Sequence, residues 1–319
     1  MNMQKPGRFL PPRRAERPTY FIAGATGNVG RHLVPELLWN GHHVRALTRK
    51  PGQANLPPQT QLIGGDLTRI ETFEQALKGV SGLHLITIGG DDYEPLRNGQ
   101  AIIAAAVRAG VKRVTVLSDG RNGSVETAVR SSDLEWTILQ PVELMSNMLG
   151  WAHSVRTENI VRGPSGDSSR TMIHESDVAS AAAQILMHGG YRNEICRLTG
   201  PQALTMHHKV AMLNAVLGRA VRHVEVSEDH TRDMMRRLGM REDVIDYVIA
   251  WDSNPPAEAR APNHVFENIV RRPASTIAEW FAENRSAFEL SSVPLHDQNN
   301  NASPDPAPAG EKRLEDKPA

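Results

Sequence analysis

A doubly wound parallel α/β sheet with a smaller, mainly helical C-terminal lobe is the fold class that this 319-residue chain predicts. Three observations carry that expectation. From residue 19 to about residue 141, short β-branched or apolar runs alternate with longer helix-compatible segments. Three glycines, Gly24, Gly27 and Gly30, follow the first apolar run and open the first helix-like one in "TYFIAGATGNVGRHLVPELLWNGH". Beyond Pro141 the alternation gives way to amphipathic helical patterns.

Taken in order, the strands are expected at 19–23, 44–47, 61–63, 82–87, 113–117 and 136–139. Between them, "NVGRHLVPELLWNG" and "PLRNGQAIIAAAVRAG" read as helices that end at glycine, with Pro35 a point of kinking or early termination in the first. "ETFEQALKGV" offers a shorter helix. A core over 19–141 is followed by a lobe over 142–290, with "NEICRLTG" returning one strand near 194–198. The lobe's helices are expected in "ALTMHHKVAMLNAVLG", "SEDHTRDMMRRLGM" and "ASTIAEWFAENRSAF". The tails, 1–18 and 291–319, are rich in proline and polar residues with little to bury and are expected to be disordered.

Composition narrows the function. Positive and negative residues balance at 36 each, so no polyanionic partner such as nucleic acid is expected. Cys196 is the sole cysteine, which excludes an intrachain disulfide and suits the cytoplasm. Neither a membrane span nor a secretion signal is expected.

The glycine loop suits a dinucleotide. A pyrophosphate needs a tight turn after the first strand, close approach to backbone and a helix N-terminus facing it. Gly24, Thr26, Gly27, Asn28, Val29 and Gly30 are the candidate contacts; a glycine turn used only for packing is the alternative. The second strand ends in Thr48, Arg49 and Lys50, where an NAD site would place an acid. A guanidinium pairs with a 2′-phosphate, so NADP(H) is preferred over NAD(H), unless these residues form only a solvated basic turn.

Here the chain resembles a known group. "GATGNVG", "ALTRKPG", "GDLTRIETFEQALKGV", "AGVKRVTVLSDG", "LEWTILQPVELMSNML", "GPSGDSSRTMIHESDVASAAAQIL" and "ICRLTGPQALT" are similar to serial motifs of the atypical short-chain dehydrogenase/reductases, specifically the NmrA-like NAD(P)H-binding family. The resemblance reaches about Phe288. It implies a Rossmann fold, with Asp66 and Leu67 beside adenine, Thr87, Ile88 and Gly89 near ribose and pyrophosphate, and Ser118, Gln140, Pro141 and Val142 near nicotinamide.

The wider superfamily protonates its substrate with a Tyr-x-x-x-Lys pair. No lysine occurs between Arg113 and His208, and none of Tyr20, Tyr93, Tyr191 and Tyr247 has lysine four residues on. Ser118 and Asp119 are therefore weak catalytic candidates, and no metal-ligand set is apparent. A substrate whose carbonyl is flanked by a phenol can supply its own proton, which suits aromatic polyketides and quinones. Tyr93, Met145, Met148, Leu149, Trp151 and His174 are the expected substrate contacts, the apolar ones being equally suited to core. Two functions follow: an NADPH-dependent ketone or quinone reductase on a bulky aromatic substrate, as in polyketide antibiotic tailoring, or a non-catalytic NADP(H)-binding redox sensor with a protein partner.

Overall fold

The computed structural model describes residues 17–90, 94–163 and 167–289. Seven strands form one parallel sheet: β1 (Thr19–Ile22), β2 (His43–Thr48), β3 (Gln61–Gly64), β4 (Gly82–Ile86), β5 (Arg113–Leu117), β6 (Glu135–Pro141) and β7 (Glu194–Leu198). Their spatial order is 7-6-5-4-1-2-3, with every pair parallel. The order reverses between β1 and β4, so a crevice opens beyond the carboxyl ends of those strands.

The helices are α1 (Gly30–Trp39), α2 (Gly99–Arg108), α3 (Ser124–Arg130), α4 (Ala152–Glu158), α5 (Glu175–His188), α6 (Met206–Leu217), α7 (Glu228–Arg237), α8 (Glu242–Ser253), α9 (Val265–Val270), α10 (Ile277–Glu283) and α11 (Arg285–Phe288). Alternation along β1 divides the core: Tyr20 and Ile22 face one layer with α1, α5 and α9, while Phe21 faces the other with α2 and α3. A third cluster, around Met145, Val210, Leu213, Trp280 and Phe281, holds α6, α10 and α11 together.

One expectation is corrected and one alternative is closed. "ETFEQALKGV" forms two 3₁₀ turns, Ile70–Thr72 and Glu74–Leu77, instead of one helix. Phe73 interrupts them at φ −139°, buried and stacked on Phe21 at 5.7 Å between centroids. Pro35 does not end α1, whose buried Leu33, Val34 and Leu37 anchor it on the sheet through Trp39.

α5 is buried along nearly its whole length, with Ala179, Ala181, Ala182 and Ala183 all at 0 % exposure, so it lacks the polar face that announces a surface helix. Its first turn also receives the C-terminal segment. The Asp177 carboxylate accepts from the Ser275 backbone N–H at 2.7 Å and from Arg272 at 2.7 Å. Trp280 Nε1 donates to both oxygens of Glu175 at 3.2 Å. Cys196 in β7 is buried, and its thiol is pushed up to about 12, first by burial and then by Glu194. It is inert filler.

At the centre of the sheet His84 is wholly buried, its Nδ1 2.8 Å from the Thr115 hydroxyl and its Nε2 without a partner. Burial lowers its pKa from 6.5 to about 4, so the folded imidazole is neutral at pH 5. The unfolded chain then takes up a proton that the folded chain refuses. Stability is full above pH 6.5 and falls as pH drops from 6.5 to about 4, by about 3 kcal/mol from this group. Urea unfolding across that window should show wild type losing this increment relative to His84→Gln; parallel curves would mean the imidazole is not held neutral.

Candidate functional site

The crevice at the reversal point is a cleft of about 930 Å³. Its floor is the β1–α1 turn. Gly24 sits at φ +65°, a left-handed conformation that favours glycine. A Cβ on Gly30 would lie 2.2 Å from the Gly24 carbonyl oxygen and 2.6 Å from the Ala25 Cα, so α1 can approach the turn only with glycine there. Gly27 is different: its Cβ would touch only the Gly24 oxygen, at 3.2 Å, leaving its outer face open to the cleft. The first turn of α1 has neither an acidic residue nor a side-chain cap; the Arg31, His32 and Leu33 N–H groups donate to the Gly27 and Val29 carbonyls, and those of Asn28, Val29 and Gly30 just before them are left for an anion. This cradle fits a pyrophosphate.

Thr26, Asn28, Val29, Thr48, Arg49, Lys50, Asp66, Leu67, Thr87, Ile88, Gly89, Ser118, Pro141 and Val142 line the same cleft with the three glycines. Arg49 follows β2 and acts electrostatically on Asp66. Although burial raises it, the Asp66 carboxyl is held below its usual range by hydrogen bonds from the Thr68 N–H and hydroxyl, with Arg49 and Arg69 adding to them. One expected contact lies elsewhere: Gln140 lines a neighbouring recess with Arg121, Arg130 and Arg197, because alternation along β6 turns it away from the cleft.

The catalytic candidates are committed to structure. Ser118, 2 % exposed, donates to Glu126 Oε1 at 2.7 Å and accepts from the Gly120 N–H. Asp119 accepts from the Arg121 backbone and pairs with its guanidinium at 2.6 Å. The expected substrate contacts need more correction. Met145 and Met148 are fully buried in the third core cluster, and Leu149 packs against it. Trp151 lies against Phe281 in that cluster, 6.4 Å between centroids. His174, 2 % exposed, caps α5: its Nδ1 accepts the Ser176 N–H, which places the ring proton on Nε2 to donate to Glu283 at 3.1 Å. Tyr93 lies outside the described residues.

A further part of the cleft lining comes from α8. Tyr247, Val248, Trp251 and Asp252 line it opposite Pro141, Val142, Glu143, Leu144 and Asn147. The Tyr247 and Trp251 rings lie 6.1 Å apart at 32°. Arg121 sits 5.4 Å over the Tyr247 ring, and the Tyr247 hydroxyl donates to the Asp119 carbonyl oxygen at 3.2 Å. Burial, then Asp119, raise the pKa of that phenol, while Arg121 opposes them. The i, i+4 spacing of Tyr247 and Trp251 was the available signal for this wall.

Two outcomes test the cofactor end. Gly27→Val should fold normally by circular dichroism yet lose dinucleotide binding, since the branched side chain would project where the pyrophosphate must approach. Arg49→Ala should weaken NADPH by about 1–3 kcal/mol while leaving NADH nearly unchanged in fluorescence titrations. Equal losses for both nucleotides would remove Arg49 from 2′-phosphate recognition.

Known proteins share this arrangement. Residues 24–124 match the model of an NAD(P)H-binding family. An NAD(P)H azoreductase of Xenophilus azovorans is 30 % identical over 287 residues, covering 84 % of this chain and 98 % of the relative. A (4-alkanoyl-5-oxo-2,5-dihydrofuran-3-yl)methyl phosphate reductase of Streptomyces griseus is 28 % identical over 281 residues, covering 84 % and 98 %. The NADPH-dependent quinone oxidoreductase of Escherichia coli, crystallised with NADPH, shares the fold with a TM-score of 0.70 at 21 % identity, over 83 % of this chain and 99 % of that one. Cradle, sheet order and sequence agree: the chain belongs to the NAD(P)H-binding family, and it shares the fold of NmrA, solved with NADP, at a TM-score of 0.64 and 16 % identity over 84 % of this chain and 95 % of that one.

Proposed function

We propose that the protein is an NADPH-dependent reductase that transfers hydride to a ketone or quinone of a bulky, flat aromatic substrate, of the kind handled in polyketide tailoring. The observation that carries this reading is the aromatic wall of Tyr247 and Trp251 over the cleft. Two rings at this spacing, facing the apolar Val142 and Leu144, form a slot that favours planar aromatic surface. The names of the azoreductase and quinone oxidoreductase relatives support the same substrate shape.

When bound, NADPH supplies the hydride. The chain's own work is placement: the α1 N-terminus fixes the pyrophosphate, Pro141 and Val142 bound the nicotinamide end, and the α8 wall holds the substrate ring against it while excluding water. The Ser118 hydroxyl donates to Glu126 and the Asp119 carboxylate pairs with Arg121, so both side chains are engaged within the protein. A phenol beside the substrate carbonyl, or the quinone ring itself, spreads the charge left by hydride addition. That lowers the demand for an acid.

The protein with NADPH should bleach nicotinamide absorbance when given hydroxylated aromatic ketones or naphthoquinones, and do so faster than with small aliphatic ketones. Ser118→Ala and Asp119→Asn should retain turnover within about threefold, whereas loss of a true acid costs about 10²–10⁴-fold. Absence of NADPH oxidation across such a panel, with the cofactor bound, would refute the reductase reading.

A further inference from the structure

A second hollow, of about 650 Å³, adjoins the cleft. The two share Asp119, Pro141, Val142, Tyr247 and Trp251, so the recess begins where the aromatic wall and the expected nicotinamide end meet. The hydride transfer described above makes no use of it. Three arginines from three separate elements line it: Arg121 in the loop after β5, Arg130 in the last turn of α3 and Arg197 in β7. β7 is the edge of the sheet, and Arg197 lies in register with Gln140 of β6, which brings both side chains to one face. Ile195, two residues earlier on that face, is 48 % exposed and leaves an apolar side chain uncovered beside the arginines.

Two of the three cations are matched within the recess. Arg121 pairs with Asp119 at 2.6 Å, and Arg197 pairs with Glu258 at 2.7 Å. The Arg130 side chain has neither an ion-pair nor a hydrogen-bond partner among the described residues. Three cations against two carboxylates leave the recess one positive charge, and each guanidinium carries five N–H donors, more than a single carboxylate occupies.

One net charge in an open site holds a free anion weakly, because water and salt screen it. An anion attached to a ring that the aromatic wall already holds is different, since the ring delivers it to the arginines at high effective concentration. We propose that the recess receives a monoanionic substituent, a sulfonate or a carboxylate, of the flat aromatic substrate. This rests on the reductase reading above and narrows its substrate class. Arg130 is the counter-charge, Arg121 and Arg197 add N–H donors, and Gln140 adds a neutral one. With the ring against Val142 and Trp251 and the anion in the recess, the substituent fixes which edge of the ring faces the nicotinamide.

The test is calorimetric titration of protein loaded with NADP⁺, which fills the phosphate cradle, using naphthalene-2-sulfonate and the uncharged naphthalene-2-sulfonamide. Wild type should bind the sulfonate about tenfold more tightly than the sulfonamide. That advantage should shrink to within about twofold in Arg130→Ala, reverse in Arg130→Glu, survive in Arg130→Lys and grow in Glu258→Gln, which releases Arg197 from its partner. Arg130 and Glu258 are exposed, so the variants keep the fold. Methanesulfonate, with the same charge and no ring, should bind at least about tenfold more weakly than the naphthalene sulfonate. With NADPH, the kcat/KM ratio of a naphthoquinone sulfonate to the unsubstituted naphthoquinone should fall about tenfold in Arg130→Ala. Equal affinity of wild type for the two naphthalene probes, a sulfonate advantage untouched in Arg130→Ala and Arg130→Glu, or methanesulfonate binding as tightly as the naphthalene sulfonate overturns the proposal and leaves the reductase reading standing. Arginine-dependent sulfonate binding without NADPH oxidation by either quinone supports the anion recess and overturns the reductase reading.

Discussion

Everything at the cofactor end depends on how closely α1 approaches the carbonyl of Gly24. That approach leaves room for a hydrogen at position 30 and for nothing larger. It aligns the start of α1 beside the crevice, with the Asn28, Val29 and Gly30 N–H groups unfilled, and it lets Leu33, Val34 and Leu37 reach the sheet. α5 packs against α1 on the same face, so the position of the second long helix is inherited from this contact. A backbone constraint six residues wide thus sets both the phosphate cradle and one of the two core layers.

The C-terminal segment is registered by charge rather than by apolar area alone. Glu175 and Asp177 are nearly fully buried, and each is answered by donors from the last third of the chain: Trp280 for one, Ser275 and Arg272 for the other. Buried carboxylates are costly without partners and strongly oriented with them, which gives the junction one geometry in place of a sliding apolar contact. A second charged group, around Arg170, does the same beside the cleft, where Asp252 fixes the end of α8.

The sheet was legible in the sequence because each strand is a short apolar run bounded by turn residues, and the β1–α1 loop because glycine spacing encodes backbone demands directly. α5 escaped notice as a helix, its alanine-rich buried faces giving no polar stripe. On the substrate side the sequence left pocket and core open for a related reason. Met145, Met148 and Trp151 are apolar and close in sequence to the nicotinamide end, but the local chain turns them into the core of the lobe. The residues that face the cleft, Tyr247 and Trp251, lie about a hundred positions later, and long-range closure of that kind leaves no local trace. His174 shows the same limit: its position before a helix marks a cap once the helix is known, and a candidate ligand before then.

α8 is held mainly by polar contacts. Only Ile245 and Ile249 are buried within it; Glu242 and Asp246 pair with Arg236 and Arg232 of α7, the Tyr247 hydroxyl donates to the Asp119 carbonyl, and Asp252 pairs with Arg170. Val248 and Trp251 line the cleft, while Ile249 between them is buried. Under the proposed reductase function, the substrate end of the cleft is lined by positions 248 and 251, which stand apart in sequence from the nucleotide loop, so that what the cleft accepts could change without touching the cradle. The opposite holds for position 30, where any substitution forfeits the fold of the crevice before selection can act on what it binds.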